Sequence, residues 1–445
     1  MVKLETLGAC GEVGRSAFLI TDSNDDQFLL DYGISMKKDN RLPIDVEPRK
    51  IKAVAASHAH VDHTGALPYL YISSTPRCFM TKPTRTISKV LLDDMLRISG
   101  PTLPFEKPEL RNFLKHIHIL KHFNKPVDVP HMPSTRVTIF DAGHIPGSAM
   151  FLLNVEGKNI LYTGDMNTLD TRLLWGARTN GIPELDALII ESTYAAKNHP
   201  PRLETEKHLV TSIKDVLKKK GKVLIPAFGV ARSQEVLSIL QTYGFNNRNI
   251  VVDGMAREVS RLLLRNSDYL RTVYSLDRVK LVKQVRSRSD RRLALQNGEI
   301  IVAPSGMLKG GTVRYYARNI IDKDENGVFL VSYQVEGTPG RTLLEEQKYF
   351  LDKMDELRSR RDRFTKGAEL DVRAEVAQFD LSSHSDGPEL LKFVQSLKFK
   401  DSDADPRVFC VHGDRDNCDF LAKIINENIE GIDAIAPDAG EEFTI

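Results

Sequence analysis

Four side chains that can bind a metal ion occur within six consecutive positions. They are His58, His60, Asp62 and His63, in the segment Ser-His-Ala-His-Val-Asp-His-Thr-Gly. Imidazole and carboxylate groups are ligands that zinc accepts, and the segment contains no thiolate, which excludes a structural site of the cysteine type. A solvated polar turn has no need for three histidines and one aspartate in six positions. We therefore predict a metal site with positions left open for water or substrate.

An apolar run, residues 51–56, directly precedes this cluster. It predicts a buried strand, so the cluster lies at a carboxyl strand end, where open sheets usually place their sites. Along an extended segment His58 and His60 point to the same side, whereas Asp62 and His63 begin the following turn and can address a second point nearby. The spacing therefore suits two metal ions.

Length and charge restrict the class of protein. The chain has 445 residues, with 62 basic and 60 acidic side chains and a net charge of +2. This length favours two domains, and the balanced charge gives no reason of its own to expect nucleic acid or a membrane as a partner. The amino-terminal residues start with strand-like alternation, and no apolar run approaches the length of about 18 residues that spans a bilayer. We expect neither export nor membrane insertion.

The cysteines indicate the compartment. The chain contains Cys10, Cys78, Cys410 and Cys418, without a Cys-x-x-Cys pair or the spacing of a disulfide framework. This pattern predicts free thiols in a reducing compartment, for which the cytoplasm is the simplest interpretation.

Further strands also end in side chains capable of chemistry. Residues 2–7, 16–20 and 27–31 predict an antiparallel meander that ends at Asp31; the runs 137–140, 159–162, 186–190 and 407–411 lead to His144, Asp165, Glu191 and His412. A lone histidine or aspartate at a strand end is usually a turn former. Their order after the cluster is what makes them informative.

Together these segments resemble a known family. His-x-His-x-Asp-His resembles the signature of the metallo-β-lactamase superfamily, and Asp31, His144 and Asp165 match its first, third and fourth motifs. The segments Glu191-Ser-Thr-Tyr, Asp380-Leu-Ser-Ser-His384 and His412-Gly-Asp resemble motifs A, B and C of the β-CASP nucleases, so the resemblance covers essentially the whole chain. It implies an α/β fold, an αββα metallo-β-lactamase sandwich with an inserted α/β β-CASP domain of largely parallel sheet.

The resemblance also predicts domain boundaries. The metallo-β-lactamase domain would comprise residues 1–195 and 366–445, and the β-CASP domain residues 196–365. Alternating strand and helix patterns in the inserted part favour a parallel sheet with crossover helices, and the strand pattern of the first domain is expected to resume at residues 370–379. The chain looks like a minimal two-domain form, without amino-terminal KH modules or the carboxyl-terminal domain of ribonuclease J.

The resemblance assigns a role to each motif residue. It implies two zinc ions per chain, with His58, His60 and His144 on one, Asp62, His63 and His412 on the other, and Asp165 bridging them. The residues implied in catalysis are His384, Glu191, Asp62 and Asp31. His384 would protonate the leaving 3′-oxygen, Glu191 would bond to its other ring nitrogen, and Asp31 would orient a metal ligand.

The implied function is zinc-dependent hydrolysis of single-stranded RNA in RNA processing or decay, leaving 5′-phosphate and 3′-hydroxyl ends. The histidine at position 412 is the form found in RNA-directed members. Endonucleolytic and 5′-to-3′ exonucleolytic action both stay open, and a homodimer is expected by analogy alone. The alternatives are a dizinc hydrolase of a small ester or thioester, and a catalytically silent RNA-binding subunit. The insertion and His384 argue against the first, and the complete ligand set against the second.

Two kinds of segment are candidates for RNA contacts. Ser305, Gly306, Gly310, Gly311 and Arg232 lie in segments that resemble β-CASP proteins, where small residues let backbone amides approach phosphates. Without the resemblance these segments would be ordinary strand-to-helix turns. Two arginine-rich runs, 286–292 and 358–363, could neutralise an RNA backbone or form solvated helix faces, and the sequence does not distinguish these.

Overall fold

The computed structural model describes residues 1–35, 41–271, 285, 287–351, 367–400 and 407–445. The chain divides into two compact units, the first formed by Met1–Asn198 and Ser383–Ile445, the second by His199–Ser382. The second unit interrupts the sequence of the first, as expected for an inserted domain.

The first part of unit one begins as a β-meander. Its strands are β1 (Lys3–Gly8), β2 (Ala17–Thr21), β3 (Gln27–Leu30), β4 (Ile51–Ala55), β5 (Arg77–Met80), β6 (Ile117–Ile119), β7 (Val127–Val129), β8 (Met132–Asp141), β9 (Ala149–Val155), β10 (Lys158–Tyr162) and β11 (Ala187–Glu191). Its helices are α1 (Val61–Thr64), α2 (Lys82–Ser99) and α3 (Lys107–Lys115), with 3-10 turns at Leu67–Ile72 and Gly100–Thr102.

Strands and helices alternate in the second unit. The elements are α4 (Arg202–Lys218), β12 (Val223–Pro226), α5 (Arg232–Thr242), β13 (Ile250–Val252), α6 (Met255–Leu264), α7 (Arg288–Asn297), β14 (Ile300–Ala303), α8 (Val313–Ala317), β15 (Gly327–Leu330), α9 (Pro339–Glu346), β16 (Lys348–Phe350), β17 (Glu369–Asp371) and β18 (Glu375–Gln378), with 3-10 turns at Phe245–Asn247 and Ser267–Tyr269. Unit one then ends with α10 (Gly387–Gln395), β19 (Val408–Val411), α11 (Arg415–Asn428), β20 (Ala434–Ile435) and β21 (Glu442–Thr444).

Unit one is a four-layer sandwich. Its two seven-stranded sheets have the orders β21-β1-β2-β3-β4-β5-β6 and β20-β19-β11-β10-β9-β8-β7. Apolar side chains of both sheets, such as Phe28 and Phe151, form one buried cluster between them. Helices α2 and α3 cover the outer face of the first sheet, and α10 and α11 that of the second. This is the predicted αββα sandwich, and it forms because the strands are apolar on both faces and bury both.

Unit two has a sheet of the order β13-β14-β12-β15-β18, and every strand pair in it is parallel. Helices α4 and α5 pack against one face, and α8 and α9 against the other. Residues 370–379, predicted to resume the first domain, instead end the second unit, because β18 pairs with β15 in its sheet and Phe379 packs on Phe329. The chain returns to unit one at Ser383 and not near residue 366. The prediction was wrong here because short-range alternation identifies a strand but not the strand with which it pairs.

Two predictions about the whole chain can be compared with the structure. The four cysteines are free thiols, as expected. Among the described residues, none of the helices combines the length and apolar character needed to span a bilayer.

Candidate metal centre

A short turn presents Asp62 and His63. It is held by backbone groups next to β2 and β3, since the Ser16 N–H donates to the Asp62 carbonyl (2.8 Å) and the Tyr32 N–H to the His63 carbonyl (2.9 Å). Gly33 lies so close that a Cβ atom there would sit 1.6 Å from the Asp62 carbonyl oxygen. Only glycine allows this approach of the two backbones. The position of these two side chains therefore depends on their neighbours as well as on the motif.

One group of possible ligands comprises His58, His60, His144 and Asp165, whose ligand atoms lie within 4.8 Å of one another. His60 Nδ1 is 3.1 Å from His58 Nε2 and 3.2 Å from His144 Nε2. The Asp165 Oδ2 atom is 3.4 Å from His58 Nε2 and 3.6 Å from His144 Nε2. Three rings and one carboxylate thus converge on one point.

A second group comprises Asp62, His63 and His412. The Nε2 atoms of His63 and His412 are 3.3 Å apart, and Asp62 Oδ2 lies 3.6 Å from His412 Nε2. Asp165 reaches this group with its other oxygen, Oδ1, which is 3.2 Å from His63 Nε2 and 3.1 Å from His412 Nδ1. The carboxylate of Asp165 therefore lies between the two groups. We call the seven side chains the metal centre.

The donors of the metal centre fit a divalent cation. Asp165 Oδ1 is buried and faces two ring nitrogens at 3.1 and 3.2 Å, yet it accepts no well-directed hydrogen bond among the described residues. Burial, together with neighbouring imidazoles, lowers the pKa of His58 and His144 well below the ordinary value, so both rings are neutral with a lone pair to offer. Burial also lowers the pKa of His63, but the carboxylates of Asp165 and Asp31 outweigh it and hold that pKa well above the ordinary value. Such an excess of negative charge and lone pairs calls for a cation.

Asp31, buried just after β3, orients His63 from behind. Its carboxylate accepts hydrogen bonds from His63 Nδ1 (2.7 Å), the Ser57 hydroxyl (2.6 Å), the Ser57 N–H (2.7 Å) and the Tyr162 hydroxyl (2.7 Å). Because Nδ1 donates to Asp31, the Nε2 atom of His63 is left for the metal centre. Burial and the Asp31 charge raise the pKa of Tyr162 well above its ordinary value, which keeps its hydroxyl a donor.

Sequence reasoning missed several of these orienting groups. Ser57 and Tyr162 were not predicted to contribute, nor was Thr193, whose hydroxyl lies 3.2 Å from His412 Nδ1 and donates to the His412 carbonyl (3.0 Å). The Ser383 carbonyl accepts from His144 Nδ1 at 2.9 Å. A hydroxyl residue at a buried strand end, within three positions of a ligand or motif residue, is the signal that could have found the first three.

His384 lies beside the metal centre. Its Nδ1 atom is 2.9 and 2.8 Å from the two carboxylate oxygens of Glu191, and its ring centroid is 4.5 Å from that of His144. The Met166 N–H also donates to Glu191 and holds this carboxylate in place. Burial lowers the pKa of His384, but the charge and hydrogen bond of Glu191 outweigh it, so the pKa stands above the ordinary value. Since Nδ1 is committed to Glu191, a proton delivered to a substrate must come from Nε2.

Comparisons with known proteins agree with this geometry. A family model described as Beta-Casp domain matches residues 233–343, one described as Zn-dependent metallo-hydrolase RNA specificity domain matches residues 369–437, and one described as Anti-Pycsar protein Apyc1 matches residues 11–184. RNase aCSPSF2 of Saccharolobus solfataricus is 36% identical, over 99% of this chain and 85% of its own length. The chain belongs to the β-CASP ribonuclease family of the metallo-β-lactamase superfamily.

Other β-CASP relatives align over most of the chain. Probable RNase MJ4 of Methanocaldococcus jannaschii is 35% identical over 98% of this chain and 99% of its own length. Transcription termination factor FttA of Methanococcus maripaludis is 32% identical over 95% of this chain and 68% of its own length. A crystal structure of a protein of unknown function from Enterococcus faecalis V583 superposes with a TM-score of 0.61 at 15% identity, covering 100% of both chains, which supports the fold alone.

Family and geometry together identify the metal. The match to a zinc-dependent metallo-hydrolase domain and the cluster of histidines and aspartates make the metal centre of this β-CASP protein a zinc site. All seven predicted ligands, together with Asp31, Glu191 and His384, lie in unit one and close to one another.

The predicted phosphate-binding residues lie in unit two. The Ser305 hydroxyl donates to the Gly310 carbonyl and the Gly310 N–H donates to the Ser305 hydroxyl, both at 3.3 Å. Gly311 has φ +76°, and a Cβ atom there would lie 2.5 Å from the Pro304 carbonyl oxygen. Gly306 belongs to the same turn, and Arg232 begins α5. The turn is thus held by its own bonds, and its contact with phosphate stays a prediction.

One arginine of the first arginine-rich run has a structural role. Arg291 in α7 forms an ion pair with the buried carboxylate of Asp253 at 2.7 Å, and the Tyr316 hydroxyl donates to the same carboxylate at 3.0 Å. This arginine is used inside unit two, which neither interpretation of the run anticipated. Arg286 and the second run, 358–363, lie outside the described residues.

Proposed function

We propose that this β-CASP protein hydrolyses phosphodiester bonds of single-stranded RNA with two zinc ions per chain, leaving 5′-phosphate and 3′-hydroxyl ends. The observation that carries the proposal is the position of Asp165, whose two oxygens address two separate sets of histidines. The names of RNase aCSPSF2 and Probable RNase MJ4 support RNA as the substrate.

Each zinc ion has its own protein ligands in this proposal. His58, His60 and His144 would hold one ion, Asp62, His63 and His412 would hold the other, and Asp165 would serve both groups. When bound, the ions supply the Lewis acidity that makes a water molecule nucleophilic near neutral pH and that stabilises charge on the phosphoryl oxygens. Asp31 acts through His63, because its carboxylate holds the imidazole in the tautomer that offers Nε2 inward.

Departure of the 3′-oxygen requires a proton, and in this proposal His384 donates it. The contact with both oxygens of Glu191 favours the protonated imidazole, and Nε2 is the nitrogen that delivers the proton. Glu191 keeps its orientation because the Met166 N–H donates to it. The Glu191 and His384 pair thus acts as one general-acid unit beside the metal centre.

The two alternatives are less well supported. A catalytically silent subunit would not retain a complete and converging ligand set, whereas here every position carries a ligating residue. A hydrolase of thioesters has no need of a proton donor held beside the metal centre, because a thiolate leaves without one. Neither a small ester nor a thioester accounts for the inserted second unit.

The test is product analysis with zinc-loaded protein. Linear and circular single-stranded RNA are incubated with the protein in parallel. Cleavage of the circular RNA shows internal cutting, whereas cleavage of the linear RNA alone shows action that depends on a free end. Fragments should carry a 5′-phosphate that RNA ligase accepts and a 3′-hydroxyl that a poly(A) polymerase extends. Fragments with a 2′,3′-cyclic phosphate, or intact RNA beside a hydrolysed thioester, would refute the proposal. Asp165→Ala is the matched inactive control.

A further inference from the structure

The protein's single tryptophan is exposed on a loop of unit one. Trp175 has 54% of its surface accessible, although the neighbouring residues Leu174 and Gly176 are buried. A single exposed apolar side chain is common on protein surfaces and means little by itself. The hydrogen bonds that order the loop of Trp175, and the position of that loop in unit one, make this side chain informative.

Hydrogen bonds hold the loop around Trp175 in one conformation. Asp170 accepts from the Gly176 N–H at 2.9 Å and from the Arg178 guanidinium at 2.7 Å. The same guanidinium donates to the Thr168 carbonyl at 2.8 Å. The indole is therefore presented by a backbone that is already ordered, so a ligand that stacks on it has less conformational entropy to remove.

The loop is also tied to segments that carry active residues. The Thr168 N–H donates to the Ser385 hydroxyl at 2.9 Å, and Ser385 directly follows His384. The start of the loop lies next to Asp165, which is three positions before Thr168.

A second contact joins the loop to the segment that carries His144. A Cβ atom on Gly143, the residue before it, would lie 3.0 Å from the Gly176 Cα atom. The backbone next to Trp175 therefore packs against the backbone next to a metal ligand. Together the two contacts place the loop that carries Trp175 beside the segments that carry His144 and His384.

We propose that Trp175 stacks against a base of the RNA next to the phosphodiester that is cleaved. This inference rests on the proposed function and adds a substrate-binding residue to it. An exposed aromatic face accepts any base, which suits single-stranded RNA without a fixed sequence, and removal of such a face weakens binding by about tenfold.

Tryptophan fluorescence reports on the proposal, because the emission of this protein comes from position 175 alone. A short oligoadenylate and an abasic oligomer of the same length are titrated into zinc-loaded His384→Ala protein, so that the RNA survives the titration. We expect the oligoadenylate to quench the emission and the abasic oligomer to leave it unchanged. Unchanged emission at saturating oligoadenylate, or equal quenching by both oligomers, overturns the proposal.

Variants supply the second measurement, with binding of end-labelled RNA followed by anisotropy. Trp175→Ala should weaken binding about tenfold and Trp175→Phe clearly less, with zinc content and unfolding temperature as in the wild type. Phe420→Ala is the matched control, because Phe420 lies in unit one on α11 and is 40% exposed. Equal weakening of RNA binding by Phe420→Ala overturns the proposal. Undiminished RNA binding by Trp175→Ala together with an altered oligomeric state also overturns it, and indicates that Trp175 contacts a protein partner.

The stacking role of Trp175 and the proposed ribonuclease activity can be refuted independently. Quenching by oligoadenylate without any cleavage by the zinc-loaded wild type keeps the stacking role and removes the proposed activity. Cleavage with the expected ends but no quenching keeps the activity and removes the stacking role.

Discussion

His384 Nδ1 lies 2.9 and 2.8 Å from the two carboxylate oxygens of Glu191, across 193 positions of sequence. Neither residue is among the seven that form the metal centre, yet both lie beside it. Their proposed roles in catalysis can therefore be tested separately from metal binding.

Replacement of His384 by alanine should abolish most of the activity and leave the zinc in place. Loss of a general acid costs about 10²- to 10⁴-fold in rate, and we expect a decrease of that size in kcat. Zinc per chain, measured by elemental analysis, should match the wild type. Parallel loss of zinc and activity would show that His384 is a metal ligand.

Glu191→Gln tests whether the carboxylate acts through His384. We expect kcat to fall at least about tenfold, because the amide no longer stabilises the protonated imidazole. The same substitution in the His384→Ala background should have almost no further effect, since a residue that works through another loses its role with it. Independent, multiplicative effects in the double variant would contradict this assignment.

The position of Asp165 predicts different zinc stoichiometries for two carboxylate variants. Asp165→Ala removes a contact of both ligand groups and should leave close to no zinc, whereas Asp62→Ala affects one group and should leave about one ion per chain. Elemental analysis after gel filtration compares them. Retention of both ions by the Asp165 variant would show that Asp165 does not bridge the two ligand groups.

The hydrogen bonds of Asp31 predict a graded effect on zinc affinity. Asp31→Asn no longer fixes the tautomer of His63 and should weaken zinc binding about 10- to 100-fold. Tyr162→Phe removes one donor and leaves the bonds from Ser57 and His63, so its effect should be smaller. Competition with a chelator ranks the two variants. The reverse order would mean that the tyrosine, and not the aspartate, orients the ligand.

A pH-dependent stability is predicted for Asp186 at the base of β11. Burial raises the pKa of Asp186, but the hydrogen bonds from Lys400 and the Asn159 N–H outweigh it and hold this pKa below its ordinary value. A depressed carboxyl pKa stabilises the fold above the unfolded value of about 3.9 and loses this contribution as the pH falls through the folded value. Asp186→Asn should therefore cost about 0.5–1 kcal/mol at neutral pH and almost nothing near pH 3.

Urea unfolding of metal-free wild type and variant at both pH values measures this difference. Asp128→Asn is the control, because its ion pair with Arg136 is solvent-exposed and should show little effect at either pH. A constant difference between wild type and Asp186→Asn across the pH range would exclude the linkage.

Much of the metal centre could be predicted from the sequence because ligand chemistry belongs to residue types. His58, His60, Asp62 and His63 lie within six positions, and the resemblance to the metallo-β-lactamase superfamily implied the other ligands, at the ends of predicted strands. Ser57, Tyr162 and Thr193 were missed because a hydroxyl in a strand end has many possible partners. Only the packing of β3 beside β4, and of the two sheets face to face, brings Ser57 and Tyr162 onto Asp31.

The amino-acid sequence by itself determined which side chains can bind zinc, the order of the motifs and most of the individual strands, since these depend on side-chain chemistry and on short-range periodicity. Tertiary structure alone decided that β18 joins the inserted sheet and that Arg291 is used inside unit two. Such pairings arise from long-range burial and strand registry, which select among partners that a local pattern leaves equivalent.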